Sequence, residues 1–194
     1  MNGKPILGIT MGDPSGIGPE ISVKALSQAK VYEICRPLII GDAGVINRAA
    51  REAVKRTDIT IHPVTSVGEC LFRHGTIDVY DLIYIDAEKL KIGKVDAASG
   101  EAAFSSLKKT IELALAGEID ATVTNPLNKE ALNLAGHHYA GHTEIYADLT
   151  GTKDYSMMLA DGDLRVVHVS THVSLREACE CVKKDRVLKV IELA

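Results

Sequence analysis

A glycine-rich turn near the start of the 194-residue chain is the first stretch whose residues could do chemistry. It reads Gly12-Asp13-Pro14-Ser15-Gly16-Ile17-Gly18 and precedes a predicted helix. Such turns can offer backbone N–H groups to a phosphate. This one matches neither G-x-G-x-x-G nor a Walker loop, and Asp13 would repel an anion. A ligand-binding turn and a tight turn that simply needs glycine are therefore equally open.

A second stretch follows a predicted strand directly and reads Thr124-Asn125-Pro126-Leu127-Asn128-Lys129. Open α/β sheets bind ligands beyond the carboxyl ends of their strands. Asn125 and Lys129 could therefore orient a substrate and meet its negative charge. The alternative is a turn followed by a capped helix with Lys129 in solvent, and spacing alone favours that alternative.

A histidine-rich stretch lies shortly after the second one. His142-Thr143-Glu144 is predicted to lie in a loop, because Gly136 and Gly141 argue against a regular helix. An imidazole and a hydroxyl in that loop could donate hydrogen bonds to a carboxylate or phosphate. We interpret the neighbouring His137 and His138 as incidental surface residues.

Two later histidines belong to a predicted strand over residues 164–170. His168 lies inside the strand and is expected to be a satisfied core residue. His172 falls where the strand should end, which is a suitable place for a metal ligand. One histidine cannot hold a metal tightly, so His172 needs partners.

Hydrophobic runs that alternate with amphipathic stretches position these residues, and this pattern predicts an α/β protein with a largely parallel sheet. Ser174 and Glu177 have the spacing of a capping box. Predicted strands cover residues 6–11, 38–40, 60–64, 80–85, 119–124, 156–160 and 164–170. Predicted helices cover about 19–28, 45–56, 101–116, one from 175, and one that Asp185 caps and that runs to 194.

Composition excludes several classes of protein. The chain has 22 Lys+Arg against 26 Asp+Glu, and the net charge of -4 argues against a nucleic-acid binder. No apolar run reaches the ~20 residues that span a bilayer, and no secretory signal is visible, so we expect no membrane partner. The four cysteines form no CxxC pair, which favours free thiols in the cytoplasm.

Three motifs, in this order, resemble the N-terminal half of the 4-hydroxythreonine-4-phosphate dehydrogenase family: GDPSGIGPE, TNPLNKEALNLAGHHYAGHTE and HVSTHVSLRE. The second and third also resemble a sister branch that acts on 4-phospho-D-threonate and 4-phospho-D-erythronate. The resemblance implies a three-layer α/β/α fold similar to isocitrate and isopropylmalate dehydrogenases. Residues 1–130 would form the first α/β lobe and residues 131–194 the beginning of the second, in a chain that we expect to be truncated. The resemblance also implies that the protein is a homodimer.

By resemblance, the enzyme oxidises the 3-hydroxyl of a 4-phosphorylated hydroxy acid with NAD or NADP, and the product is then decarboxylated. The leading expectation is 4-hydroxythreonine 4-phosphate, in pyridoxal phosphate biosynthesis; the sister branch's substrates are the alternative. A divalent metal (Zn, Mg or Co) held by three histidines would assist. His142 and Thr143 match substrate contacts, and His172 matches one metal ligand. Asp13, Asn125 and Lys129 are candidate accessory residues.

The family's other two metal histidines lie in downstream motifs, NPHAGE and YHDQ, which this sequence lacks. We therefore expect the 194-residue chain alone to be inactive. One alternative is a catalytically incomplete fragment that serves as a binding or dimerisation module. Another is an unrelated α/β phosphate-binding protein that uses the glycine turn, which leaves GHTE and STH unexplained.

Overall fold

Residues 3–194 are described by a computed structural model, and they divide into a first compact unit that ends at Tyr146 and a second that begins at Ala147. The strands of the first unit are β1 (Ile6–Thr10), β2 (Arg36–Gly41), β3 (Thr60–Val64), β4 (Thr76–Asp81) and β5 (Ala121–Val123). Its helices are α1 (Gly18–Leu26), α2 (Ala29–Ile34), α3 (Ala43–Arg48), α4 (Ala97–Leu115) and α5 (Lys129–Leu134). Helix α6 (His142–Thr150) includes residues of both units.

The five strands form one sheet in the order β3-β4-β2-β1-β5, and every neighbouring pair is parallel. Continuous aliphatic runs such as that of β1 and β2 suit a parallel sheet, whose strands are covered by helices on both faces. The predicted α/β class is therefore confirmed. Because β1 and β5 are adjacent and parallel, the segments that follow them emerge at the same edge of the sheet.

Helices cover both faces of this sheet. Ile39 belongs to a buried cluster that includes Val23 of α1 and Ile46 of α3. Its neighbours Leu38 and Ile40 point to a second cluster, which includes Leu113 of α4. This alternation follows from the two-residue period of a strand. It explains how β2 can be apolar throughout and still satisfy two separate cores.

Helix α4 begins three strands after the glycine turn and packs closely on α5. Its N-cap is Asp96, whose side chain accepts a hydrogen bond from the Ser99 N–H at 3.0 Å. Gly100 is where the two helices meet, because a Cβ there would overlap the Ala131 carbonyl. The predicted helix over 101–116 is confirmed and extends one turn further toward its N-terminus.

The second unit contains an antiparallel hairpin and two helices. Strands β6 (Met158–Asp161) and β7 (Leu164–Val167) pair around the predicted tight turn. Helix α7 (Leu175–Cys181) has the predicted capping box of Ser174 and Glu177. Helix α8 (Lys184–Leu193) follows, and its N-cap is Lys183 rather than the predicted Asp185, which lies in the first turn.

Other predicted boundaries shift for local reasons. The helix predicted over 45–56 is α3 followed by a π-helical segment, Ala49–Ala53. The strand predicted over 80–85 lies earlier, as β4, because Ile83 has a φ of 56° that an extended strand does not accommodate. The first compact unit extends past residue 130 to Tyr146, since α5 packs on α4, and the expected lobe boundary at 130/131 stays a prediction. No helix within residues 3–194 is long and apolar enough to cross a membrane.

We predict that Gly100→Ala destabilises the protein by about 1–3 kcal/mol, although alanine normally favours a helix, because the new methyl group overpacks against backbone that cannot move aside. Denaturant unfolding measures the change. Gly44→Ala in α3 is the matched control, since a Cβ there makes only an ordinary 3.4 Å contact with Ala87. Equal effects of the two substitutions would contradict the close packing of α4 on α5.

Candidate functional site

The candidate site of the first unit lies at the carboxyl edge of its sheet, where the turn after β1 meets the segment after β5. The Asp13 N–H donates to the Pro126 carbonyl at 3.0 Å, and the Asn125 N–H donates to the Thr10 hydroxyl at 3.0 Å. Two stretches more than 100 residues apart in sequence are thereby joined. This is the edge at which open α/β sheets place ligands.

Two glycines of the turn, Gly12 and Gly18, are required by packing. Gly12 has a φ of 73°, and a Cβ there would lie 2.5 Å from the Pro126 carbonyl oxygen. A Cβ at Gly18 would overlap the Met11 carbonyl. Two N–H groups of the turn that could face an anion are engaged within the protein, because Ser15 and Gly16 both donate to Asp13. The structure therefore favours the tight-turn interpretation over a phosphate cradle.

Asp13 is buried, with 8% of its surface exposed, and it accepts hydrogen bonds from the N–H groups of Ser15 and Gly16 within the turn. Burial raises the pKa of its carboxyl group, while the Ser15 N–H opposes the shift and the charge of Asp96 adds to it. A carboxyl group that already accepts from Ser15 has a defined structural role. Its predicted accessory role toward a substrate stays a prediction.

Asn125 has the most extensive side-chain bonding in this region. Its amide nitrogen donates to the Ser22 hydroxyl at 2.6 Å and to the Thr10 and Gly18 carbonyls at 2.8 and 3.2 Å. Only 6% of the residue is exposed. Ser22 and Thr10 were not predicted as site residues. Neither stands in a recognisable local motif, because their partner Asn125 is distant in sequence. The amide group fixes the two segments relative to each other.

His142 and Thr143 begin helix α6, so the predicted loop is wrong at these residues. Gly136 and Gly141 precede the helix and do not interrupt it. His142 is half-buried. Burial lowers the pKa of its imidazole, and the nearby backbone of Asn125 partly opposes this shift. His142 therefore lies near the junction that Asn125 forms.

Lys129 lies just beyond this junction, in the first turn of α5. Asn128 caps the helix, since its side-chain oxygen accepts from the N–H groups of Glu130 at 2.9 Å and Ala131 at 3.1 Å. Lys129 itself is exposed. The local structure is thus the capped helix that spacing favoured, and a contact of Lys129 with substrate stays a prediction.

His137 is not incidental, contrary to our interpretation of the sequence. Its ring stacks on Phe104 with 3.6 Å between ring centroids, and its Nε2 lies 2.8 Å from a Glu101 carboxylate oxygen. These contacts fasten the segment before His142 to helix α4. His138, by contrast, is exposed and bonds only locally, to Asn133 at 3.0 Å.

The second unit holds the other two histidines of interest. Strand β7 ends at Val167, whose partner Met158 is the first residue of β6, so His172 lies in a loop and not at a strand end. It is exposed and has a φ of 57°, a conformation uncommon for any residue but glycine. The Nδ1 of His168 is buried without a hydrogen-bond partner among residues 3–194, so His168 is not the satisfied residue that we expected.

A metal site needs several donor side chains close together. Within residues 3–194, no three His, Cys, Asp or Glu side chains are grouped so that they could hold a metal ion. His172 supplies a single imidazole, which does not fit a metal by itself. A three-histidine site would need two donors in addition to those of the described residues.

Known proteins resemble this chain over nearly its whole length. Residues 33–194 match the family model described as "Pyridoxal phosphate biosynthetic protein PdxA". The chain belongs to the PdxA family. Of its curated relatives, proteins named "Putative D-threonate 4-phosphate dehydrogenase" from Clostridium botulinum and Symbiobacterium thermophilum are 49% and 45% identical, each over 98% of this chain.

Solved structures agree with the PdxA assignment. A 4-hydroxythreonine-4-phosphate dehydrogenase from Burkholderia phymatum is 44% identical with a TM-score of 0.91 over 98% of this chain. One from Klebsiella pneumoniae is 37% identical with a TM-score of 0.90 over 99%. The expected family and fold are thereby confirmed. The chain spans 57% and 56% of the two curated relatives and 57% and 58% of the two solved chains.

We predict that Glu101→Gln removes part of the pH dependence of unfolding. Hydrogen bonding to His137 lowers the pKa of the Glu101 carboxyl group below its ordinary value of 4.5. A depressed pKa stabilises the folded state above 4.5, and this contribution is lost as the pH falls through the lower folded pKa. Because the pair is partly exposed, the effect should stay below about 1 kcal/mol.

Denaturant unfolding at neutral pH and near pH 4 measures this contribution. Glu33→Gln, at an exposed position on α2, is the control and should leave the pH dependence unchanged. If Glu101→Gln and the parent protein lost stability equally on acidification, the hydrogen bond between Glu101 and His137 would have no role in fastening the segment that precedes His142.

Proposed function

We propose that this chain is the N-terminal part of an NAD(P)-dependent dehydrogenase that oxidises the 3-hydroxyl of a 4-phosphorylated hydroxy acid, followed by decarboxylation. D-threonate 4-phosphate is the first candidate substrate, because the curated relatives carry that name at 49% and 45% identity. 4-Hydroxythreonine 4-phosphate, the substrate named for the solved structures and the intermediate expected in pyridoxal phosphate synthesis, is the second.

The observation that carries the proposal is the position of His142. Family membership alone suggests an activity. His142 and Thr143 are the proposed substrate contacts, and they lie at the start of α6, near Asn125 at the carboxyl edge of the sheet. A ring nitrogen and a hydroxyl group there can bond the polar groups of a small hydroxy acid.

The remaining parts of the proposal concern groups that lie partly outside these residues. His172 is proposed as one of three histidines around a divalent metal that polarises the reacting oxygens, and its left-handed backbone is a conformation that functional sites often retain. The glycine turn is not proposed to bind the cofactor phosphates, since the N–H groups of Ser15 and Gly16 already donate to Asp13. A cytoplasmic homodimer completes the proposal.

Reduction of NAD or NADP by the full-length protein, followed by absorbance, tests the activity with each candidate substrate. We expect a higher kcat/KM for D-threonate 4-phosphate, and His142→Ala should weaken its binding about ten- to a hundredfold, the usual loss for a hydrogen bond to a charged or strongly polar group. His138→Ala is the matched control, because that ring is exposed and bonds only Asn133. We also expect the isolated 194-residue chain to show no turnover.

Turnover of neither phosphate by the full-length protein would contradict the proposal, and equal effects of the two histidine substitutions would contradict the assignment of His142. Turnover by the isolated chain, clearly above a blank, would refute the view that essential parts of the active site lie outside it.

His172→Ala in the full-length protein should abolish tight binding of zinc, cobalt or magnesium and nearly all turnover, because removing one ligand of three leaves two. Isothermal titration gives the metal affinity, and a thermal melt in chelator confirms that the fold persists, as expected for an exposed loop residue. Parent-like metal affinity in a folded His172→Ala protein would show that His172 is only a polar loop residue.

A further inference from the structure

The segment that connects β4 to α4, residues 82–96, contains no helix or strand. Because β4 is parallel to β2, the segment leaves the sheet at its carboxyl edge. The Gly93 N–H donates to the Ser15 carbonyl at 2.7 Å, so the segment borders the glycine turn. A connection of this length without secondary structure is uncommon in a compact domain, and it is usually either functional or disordered.

Side chains from α3 and its N-cap hold this β4–α4 segment in one conformation. The Asp42 carboxylate is 2% exposed and accepts from the Tyr84 N–H and, at 3.0 Å, from the Ile85 N–H. The Arg48 guanidinium donates to the Ala87 carbonyl at 2.6 Å. The segment is therefore pre-organised, and a ligand that binds to it loses less free energy in ordering the loop.

The same segment presents apolar side chains to solvent on a strained backbone. Ile83 is 83% exposed and has a φ of 56°, which is an outlier for a β-branched residue. Tyr84 beside it is 55% exposed. Strained backbone that neighbouring contacts hold in place is concentrated at ligand-binding and active sites. Asp42 supplies that restraint here, and it fixes the backbone that carries the Tyr84 ring.

A cavity of about 620 Å³ lies against the β4–α4 segment, and its apolar lining includes Tyr84, Leu90 and Val95. Leu90 is buried and belongs to the hydrophobic cluster that covers one face of the sheet, so this wall of the cavity is anchored in the core. Pockets for small molecules commonly occupy about 300–1,000 Å³ and have mostly apolar walls with a few polar groups. The cavity therefore has the size and lining of a small-molecule site.

Three lysines and two aspartates place charge around this cavity. Lys89 pairs with Asp86 at 2.8 Å, and Asp96 is engaged as the N-cap of α4. Lys91 and Lys94 form no ion pair with any of residues 3–194. Their two ammonium groups are therefore available to an anionic ligand.

We propose that this cavity binds one half of the nicotinamide dinucleotide, with a heteroaromatic ring on Tyr84 and a phosphate at Lys91 and Lys94. An exposed aromatic ring beside cationic groups is the combination that binds the flat base and the phosphate of a nucleotide. The glycine turn fits a phosphate less well, because its Ser15 and Gly16 N–H groups already donate to Asp13. The proposal rests on the proposed function for the identity of the ligand.

Titration of the full-length protein with NADH, followed by the fluorescence of the reduced nicotinamide, measures this binding without turnover. Tyr84→Leu should weaken NADH binding about five- to a hundredfold, the usual loss when a base no longer stacks on an aromatic ring. Tyr84→Phe keeps the ring and should leave the affinity nearly unchanged. Equal NADH affinity of the parent protein and both variants would overturn the stacking on Tyr84.

The phosphate contact is tested by a protein that combines Lys91→Gln with Lys94→Gln. Its NADH affinity should fall about three- to tenfold at low salt, and the difference from the parent should shrink at high salt, because exposed charges are screened. The matched control combines Lys30→Gln with Lys108→Gln, two exposed lysines that do not line the cavity. Equal losses in the two double variants would overturn the contact.

Isothermal titration with AMP and with nicotinamide mononucleotide shows which half of the dinucleotide is bound. The half that loses affinity in Tyr84→Leu is the one that stacks on the ring, and a loss for neither would overturn the proposal. D-threonate 4-phosphate is titrated as well. If the Lys91 and Lys94 substitutions weakened its binding and left that of NADH unchanged, the cavity would belong to the substrate, which would also overturn the proposal.

Failure of the proposed function is recognised separately. A protein whose NADH affinity depends on Tyr84, but which turns over neither candidate phosphate, refutes the activity and leaves this inference intact. An active enzyme whose NADH affinity is independent of Tyr84, Lys91 and Lys94 refutes this inference and leaves the activity intact.

Discussion

The side-chain amide of Asn125 is a single buried group on which the arrangement of the sheet edge depends. It donates to Ser22 on α1 and to the carbonyls of Thr10 and Gly18, and so it connects the end of β5 to both ends of the turn that follows β1. Buried polar groups must find partners, so an amide with this set of acceptors permits one arrangement of its neighbours. The close approach of Gly12 and Gly18 to Asn125 and the bond of Asp13 to Pro126 belong to that arrangement.

Helix α4 supports the same edge from another direction. The Ser106 hydroxyl is fully buried, accepts from the Met11 N–H at 3.0 Å and donates to the Ile40 carbonyl at 2.5 Å. Met11 is the residue at which β1 gives way to the turn. Two further residues of α4, Glu101 and Phe104, contact His137 and thereby hold the segment that leads into α6. One helix thus restrains both sides of the junction.

The sequence was sufficient to predict the α/β class, β1, α1, the body of α4, the hairpin and the capping box at Ser174, because each has a periodicity or a cap within a few residues. It was not sufficient for β4, where buried Asp78 interrupts the apolar pattern but is satisfied by the N–H groups of Leu71 and Phe72. The same distinction between local signals and distant contacts applies to the candidate site. His142 could be named from its motif, whereas the bonds of the Asn125 amide and the contacts of His137 depend on residues distant in the chain.

The proline after Asn125 also bears on how long the junction can last. Asparagine side chains deamidate when the nitrogen of the following residue attacks the side-chain carbonyl and closes a succinimide ring, and this requires an N–H that proline lacks. Conversion of Asn125 to aspartate would replace a donor amide by an acceptor carboxylate that faces the Thr10 and Gly18 carbonyls. Pro126 therefore protects, against slow chemical ageing, the one side chain in this region whose spontaneous conversion would turn attraction into repulsion.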